Sequence, residues 1–320
     1  ALGNTQLAIK AYERACYYNP ALSASFKAQA DVLKRSGQPV LAKNVELQLD
    51  YLLSLPQPLV AVMDVISQGK LLKAEDLCKK FMRQMPKHVE GMRLLADIAV
   101  RLGVLEEAEF LLESAVQLEP GNTRARIDYV GVLRKRQQYE KALRQADLLL
   151  QSNPNNPQFK SLFAIECMQS GDFDQALSVF DEILQILPTD PVTLTSKGHA
   201  LKTKGDSGEA ITSYQAAIKA NPGHGEAFYS LANLKTYRFN YSDVAKMAAL
   251  ADNPNLSFMD RVYINFALGK AYEDEDDYAK AFTHYRTGNA LKKSQSRYRA
   301  EQMSEEFAAQ KEVFTKDFLS

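Results

Sequence analysis

The chain has 320 residues, with 39 Lys plus Arg against 39 Asp plus Glu, so no bulk charge draws it to nucleic acid or to an anionic membrane surface. No apolar run approaches the roughly 20 residues that span a bilayer, and no charged, apolar, small-residue leader opens the chain. Three cysteines, Cys16, Cys78 and Cys167, are odd in number and far apart, which argues against a disulfide scaffold and fits a reducing, cytoplasmic compartment.

Residues 1 to 22 read as the second helix of a pair whose first helix is missing, with Ala8 and Ala15 on its packing face and Asn19-Pro20 as its stop. The chain thus opens inside a repeat and without Met, as an excised piece would. A full helix pair follows from Ser23: Phe26, Ala30 and Leu33 form one face, Gly37 the turn, and Ala42 and Leu49 belong to the second helix. At Leu55-Pro56-Gln57-Pro58 the two prolines delay the next helix to about Leu59. The Ala42 to Ala74 interval is two residues short of the later ones, so a kink in the stack is expected here.

From that point a 34-residue clock runs. Prolines fall at Pro86, Pro120, Pro154, Pro188 and Pro222, and alanines at Ala74, Ala108, Ala142, Ala176 and Ala210. Glycines follow at Gly69, Gly103, Gly171 and Gly205, with Gln137 at the one remaining beat. Each residue type has a mechanical reason. Glycine allows the left-handed turn that ends a helix, alanine lets two helices cross closely, and proline prevents the second helix from continuing. Repeats therefore begin near 55, 89, 123, 157 and 191. This period with these residue types resembles the tetratricopeptide repeat, a helix-turn-helix unit. The expected fold class is all-α, a right-handed superhelical solenoid of antiparallel helix pairs.

The eighth unit, from Gly225, keeps Phe228, Leu231 and Ala232 but replaces the glycine turn with Arg238-Phe-Asn-Tyr-Ser242 and ends early, around Asn253-Pro254. The repeat is degenerate near 239–258. A ninth unit recovers the pattern from Phe266 through Gly288, and Tyr298 to Phe314 reads as a helix that caps the last apolar face. The organisation expected is a repeat array over 1–296 and a capping or linker helix over 297–320 that leads to a further domain.

The C-terminal third carries a narrower resemblance. Leu231-Ala-Asn-Leu-Lys-Thr-Tyr-Arg-Phe239, Phe266-Ala-Leu-Gly-Lys-Ala-Tyr-Glu-Asp274, Asp277-Tyr-Ala-Lys-Ala-Phe282, His284-Tyr-Arg-Thr-Gly-Asn-Ala-Leu291 and Val313-Phe-Thr-Lys-Asp-Phe318 follow one another in order. In order and spacing they resemble the junction region of bacterial tetratricopeptide-sulfotransferase fusion proteins. That resemblance implies a sulfotransferase domain beyond Ser320, with a strand and a Gly- and Ser-containing loop for a phosphosulfate donor. The 320 residues themselves hold no such strand and loop, no Ser-His-Asp or Cys-His arrangement and no metal-ligand spacing among His88, His199, His224 and His284. They are expected to be non-catalytic, without cofactor or metal.

In tetratricopeptide solenoids the first helices line a concave groove, which here implies Lys27, Lys34, Arg35, Arg93, Arg101, Arg124, Arg134 and Lys135 in the early repeats. The later repeats contribute His199, Lys202, Tyr229, Asn233 and Tyr237, a more neutral and aromatic set. The chaperone-tail clamp fails, because Lys27 is followed by Asp31 and Asn233 lacks its lysine. The asparagine ladder of nuclear sugar transferases fails as well, since Ala28, Val60, Leu94 and Leu162 stand where asparagines would. Two readings of the early basic residues stay open: solvated charges answering neighbouring acids, or a strip that recruits an acidic peptide or glycan through forked guanidinium donors. Two functions stay open too, the recruiting arm of a sulfotransferase and a stand-alone scaffold that assembles proteins. The partners expected are a protein or peptide in the groove and the downstream domain, with no nucleic acid and no membrane span.

Overall fold

The computed structural model describes residues 2–253, 256–295 and 300–314, and these form helices with no strand among them. Pro254, Tyr298 and the stretch Thr315 to Phe318, named above, lie outside the described residues. The chain divides into two compact units, residues 1–171 and 172–320.

The first unit holds α1 (Leu2–Tyr18), α2 (Ser23–Arg35), α3 (Pro39–Ser54), α4 (Gln57–Ser67), α5 (Leu71–Gln84), α6 (Val89–Leu102), α7 (Leu105–Leu118), α8 (Thr123–Lys135), α9 (Tyr139–Ser152) and α10 (Pro157–Ser170). The second holds α11 (Phe173–Ile186), α12 (Pro191–Lys204), α13 (Ser207–Ala220), α14 (Gly225–Ala232), α15 (Tyr241–Ala251), α16 (Phe258–Asp274), α17 (Tyr278–Gln295) and α18 (Ala300–Val313).

The punctuation residues do what their chemistry dictates. Each clock proline lies two positions past the end of α5, α7, α9, α11 or α13. The turn glycines adopt positive φ, from 72° at Gly69 to 104° at Gly205, and Gln137 is forced to 58° in the same role. Side-chain caps close several first turns: Asn122 accepts from the Ala125 amide at 3.0 Å and Asp190 from the Thr193 amide at 2.8 Å. All five clock alanines are 0% exposed, as a close helix crossing requires.

Three expectations need correction. The prolines at 56 and 58 do not delay α4 to Leu59. Pro56 is the N-cap and Pro58 lies in the first turn, where a missing amide proton costs nothing, so the helix starts at Gln57. On α1 the buried residues are Ile9 and Cys16, with Ala8 and Ala15 half-buried beside them. At the junction itself the core is interrupted. Ile9, Leu33 and Ala42 form one cluster, and Leu59, Val62, Ala74, Cys78 and Ile98 belong to another. Finally, α18 covers no apolar face: every side chain described on it is exposed, Phe307 by 56%.

α14 is only 8 residues long, and the segment after it runs through Lys235 at φ 57° before α15 begins. This shortening opens a cleft of about 600 Å³ floored by Phe228 and Leu231 and walled by Ile218, Tyr237, Phe239 and Leu250. Among the described residues no single helix is long and apolar enough to cross a membrane.

Candidate ligand surface

In the first unit two of the early groove residues, Arg93 and Arg124, converge on Tyr51, a residue of α3 that the repeat pattern does not single out. Its hydroxyl donates to Glu90 Oε2 at 2.5 Å, and the Arg124 guanidinium lies over its ring at 3.3 Å. Arg93 sits at the centre, donating to Glu90 at 2.6 Å and through Nε to Asp128 at 2.8 Å. Its side chain is only 17% exposed. Burial pushes the Asp128 carboxyl up from its ordinary range while Arg93 pulls it down. Burial and the bond to Glu90 push the Tyr51 phenol up.

The remaining early positions divide between paired and open. Arg134 donates through Nε to Glu166 Oε1 at 2.7 Å, and Glu166 is fully buried. Its other oxygen has no hydrogen-bond partner. Burial raises the Glu166 carboxyl, opposed by Arg134. Arg101 pairs with Asp97 at 2.9 Å, and Lys34 with Glu46 on α3. Lys27, Arg35 and Lys135 are exposed, with no ion pair recorded among the described residues. Of the two readings of the early basic residues, that of charges answering neighbouring acids fits four of these positions. Arg93, Arg101 and Arg134 already have carboxylates, and Arg124 has an aromatic ring.

The second unit is built differently. Gly198 on α12 leaves room for the Tyr214 ring, which is 0% exposed, and Tyr214 Oη lies 2.9 Å from His199 Nδ1. His199 Nε2 lies 3.5 Å from Glu226 Oε1, and this contact holds the Glu226 carboxyl below its usual range. Burial pushes the Tyr214 phenol up to about 12. Next along, Tyr229 stacks on Tyr263 with ring centres 5.3 Å apart and meets Phe266 at 6.0 Å. Phe266 meets Tyr285 at 6.4 Å. The Tyr285 ring lies flat on α16 because residue 269 is glycine: a Cβ there would stand 2.6 Å from the ring. Tyr285 donates to Glu273 Oε2 at 2.7 Å, and burial followed by that carboxylate raises its phenol.

Of the later positions proposed from sequence, His199 and Tyr229 join this row. Tyr237 turns instead to the cleft, where it meets Phe239 edge-on at 5.1 Å and its hydroxyl accepts from Gln215 at 3.3 Å. Asn233 and Lys202 are exposed. Sequence reading missed Tyr51, Tyr214, Tyr263 and Tyr285; a glycine 16 residues before a tyrosine on the next helix, Gly198 before Tyr214 and Gly269 before Tyr285, is the signal that could have found two of them.

The three cysteines are buried, and burial pushes the Cys78 thiol up to about 11, which keeps it protonated and inert. Among the described residues no group of three or more His, Cys, Asp or Glu is placed to hold a metal ion.

A family model described as the cytochrome c-type biogenesis protein H TPR domain matches residues 77–193, and a tetratricopeptide repeat model matches residues 193–224. The repeats over residues 77–224 match tetratricopeptide repeats. Curated relatives include anaphase-promoting complex subunit 3 of Schizosaccharomyces pombe, 31% identical over 138 residues, 42% of this chain and 20% of that protein. The human protein O-mannosyl-transferase TMTC1 is 23% identical over 179 residues, 55% of this chain and 20% of that protein. The chain thus spans about a fifth of the length of the curated relatives it matches. Among solved structures, MamA from Desulfovibrio magneticus RS-1 aligns with a TM-score of 0.47 at 14% identity, covering 53% of this chain and 98% of that one. Pseudomonas aeruginosa PilF aligns at 0.48 with 16% identity, covering 61% and 87%. The matched stretch is a helical repeat region of the kind that presents an extended binding surface.

Proposed function

We propose that these repeats form the non-catalytic, substrate- or partner-recruiting arm of a bacterial sulfotransferase, whose catalytic domain follows Ser320 and uses a phosphosulfate donor. The observation that carries this reading is the ordered series of segments from Leu231 to Phe318 that resembles the junction of such fusion proteins. Sulfate transfer would need a phosphate-cradling loop after a strand, so it belongs to the downstream domain.

The coding sequence beyond Ser320 tests the reading first. A strand followed by a Gly- and Ser-containing loop is expected, and its absence overturns the sulfotransferase assignment. Calorimetric titration of residues 1–320 with the desulfated donor product is expected to give no heat of binding. Micromolar affinity would overturn the non-catalytic role.

The second reading, a stand-alone scaffold that assembles proteins, is favoured by the match to a protein named as a complex subunit. The match to a protein named as a transferase is equally compatible with the first. Affinity capture with the full protein separates them, because a stand-alone scaffold returns a stable complex with no sulfate-transfer activity.

A further inference from the structure

We infer that the aromatic shelf of the second unit holds a basic segment of a partner protein, with an arginine or lysine side chain lying across Tyr229, Tyr263, Phe266 and Tyr285 between Glu226 and Glu273. This rests on the peptide-recruiting reading above and names the chemistry of the partner at this unit. Four rings form one continuous row, with successive centres 5.3, 6.0 and 6.4 Å apart, and all four residues are half-buried. Half-burial leaves part of each ring open to solvent, and an aromatic face is electron-rich, so a cation is the polar group that such a row accepts best.

The charges around the row point the same way. Several acids elsewhere in this unit are matched by bases: Asp174 by Lys204 at 2.7 Å, Asp181 by Lys197 at 2.6 Å, and Asp274 by Lys270 and Arg238. Glu226 and Glu273, the two acids beside the row, are not paired in this way. Glu226 faces His199 and His224, and Glu273 accepts from the Tyr285 hydroxyl; no Lys or Arg ion pair is recorded for either among the described residues. Lys270 shares a helical face with Phe266 and Glu273 but is drawn aside by Asp274. An incoming guanidinium or ammonium would therefore meet two carboxylates without displacing an existing cation.

The shelf is also preorganised. Gly269 admits the Tyr285 ring against α16, and the Gly225 amide donates to Asp260 Oδ1 at 2.8 Å, fixing α14 to the start of α16. The rings need not move to form the site, so little ordering cost falls on binding.

Fluorescence anisotropy of the 320-residue protein with labelled peptides of alternating Gly-Arg, Gly-Lys, Gly-Glu and Gly-Ser tests the inference. The Arg and Lys peptides are expected to bind, more weakly as salt rises. The double variant E226Q/E273Q is expected to lose roughly fivefold in affinity for them, while E301Q/E305Q on α18 leaves it unchanged. Tyr263→Leu, with its fold checked by circular dichroism, is expected to weaken the Arg peptide as well. Equal losses in both double variants would mean diffuse attraction to any acidic surface and would overturn the site. Preference for the Gly-Glu or Gly-Ser peptide would overturn it too, while leaving the recruiting scaffold in place.

Discussion

The two units present groove positions of opposite temper. In the first, the conspicuous charges are arginines; Arg93 and Arg134 are paired with carboxylates of the helix one repeat on, and Arg101 with Asp97 on its own helix. In the second, the conspicuous residues are rings, and the acids beside them keep no Lys or Arg partner. The difference teaches that a charge at a groove position says little until the same position one repeat away is read. Arg93 reaches Asp128 across 35 residues and Arg134 reaches Glu166 across 32, each close to one repeat period. A periodic array brings near-equivalent positions together, so the pairs that cancel a basic strip are written one period apart.

Breaking a pair in the first unit should give the largest effect. Arg134→Ala leaves Glu166 buried with neither oxygen paired, and a stranded buried charge costs about 3–5 kcal/mol. The pH dependence gives the sign. Because burial raises the folded-state pKa of Glu166, its relative stability is fully present below the ordinary carboxylate value and is lost as pH rises through the raised one. Removing Arg134 raises it further, so urea denaturation should show a larger deficit at pH 8 than at pH 5. A deficit that is flat across this range would remove Glu166 as its source.

The next effect lies in the second unit and concerns the close helix crossing. Ala176 on α11 is 0% exposed, and Ala176→Leu should overpack its surroundings by about 1–3 kcal/mol. An unchanged thermal melt would show that the 34-residue alanine does not mark the packing face.

A smaller, paired measurement sharpens the account of the aromatic shelf. A Cβ on residue 269 would stand 2.6 Å from the Tyr285 ring, whereas one on residue 288 would meet Phe266 at an ordinary 3.4 Å. Gly269→Ala should therefore cost about 1–2 kcal/mol and Gly288→Ala clearly less. Equal costs would mean that Tyr285 can swing aside freely and that the shelf is not held by the glycine.

Most of the architecture was legible in the sequence, because the clock residues act locally. A proline stops a helix and a glycine turns one whatever surrounds it, so Pro86 to Pro222 and Gly69 to Gly205 mark real ends. What was not legible depends on partners distant in sequence. Tyr51 lies on a second helix before the regular period begins, so no repeat position points to its bonds with Glu90 and Arg124. The start of α4 was misjudged because proline is disruptive inside a helix and harmless in its first turn. α18 has the pattern of a capping helix, but amphipathic spacing does not specify which surface, if any, the helix covers.

The smallest expected change is a gain, at the one turn where the clock lacks its glycine. Gln137 adopts φ 58° between α8 and α9, its amide donating to Arg134 O at 2.9 Å, while the Gln138 amide donates to Leu133 O at 2.9 Å. Both bonds belong to the turn that Gly37, Gly69, Gly103, Gly171 and Gly205 make without a side chain. A Cβ in this backbone region crowds the carbonyl, at a cost of about 1–2 kcal/mol. Glycine removes that crowding but gives the unfolded chain more freedom to lose, which offsets part of the benefit. Gln137→Gly should therefore stabilise by a net of about 0.5–1 kcal/mol. Gln137→Val should do the reverse, since a β-branched residue tolerates positive φ poorly. Because the side chain is exposed and makes no recorded hydrogen bond, nothing else is lost in either change. Hydrogen exchange localises the effect: amides at the end of α8 and the start of α9 should exchange more slowly in the glycine variant and faster in the valine variant. If glycine instead destabilises the protein, the turn is not strained, and the Gln137 beat is filled by choice of side chain and not by tolerance of its cost.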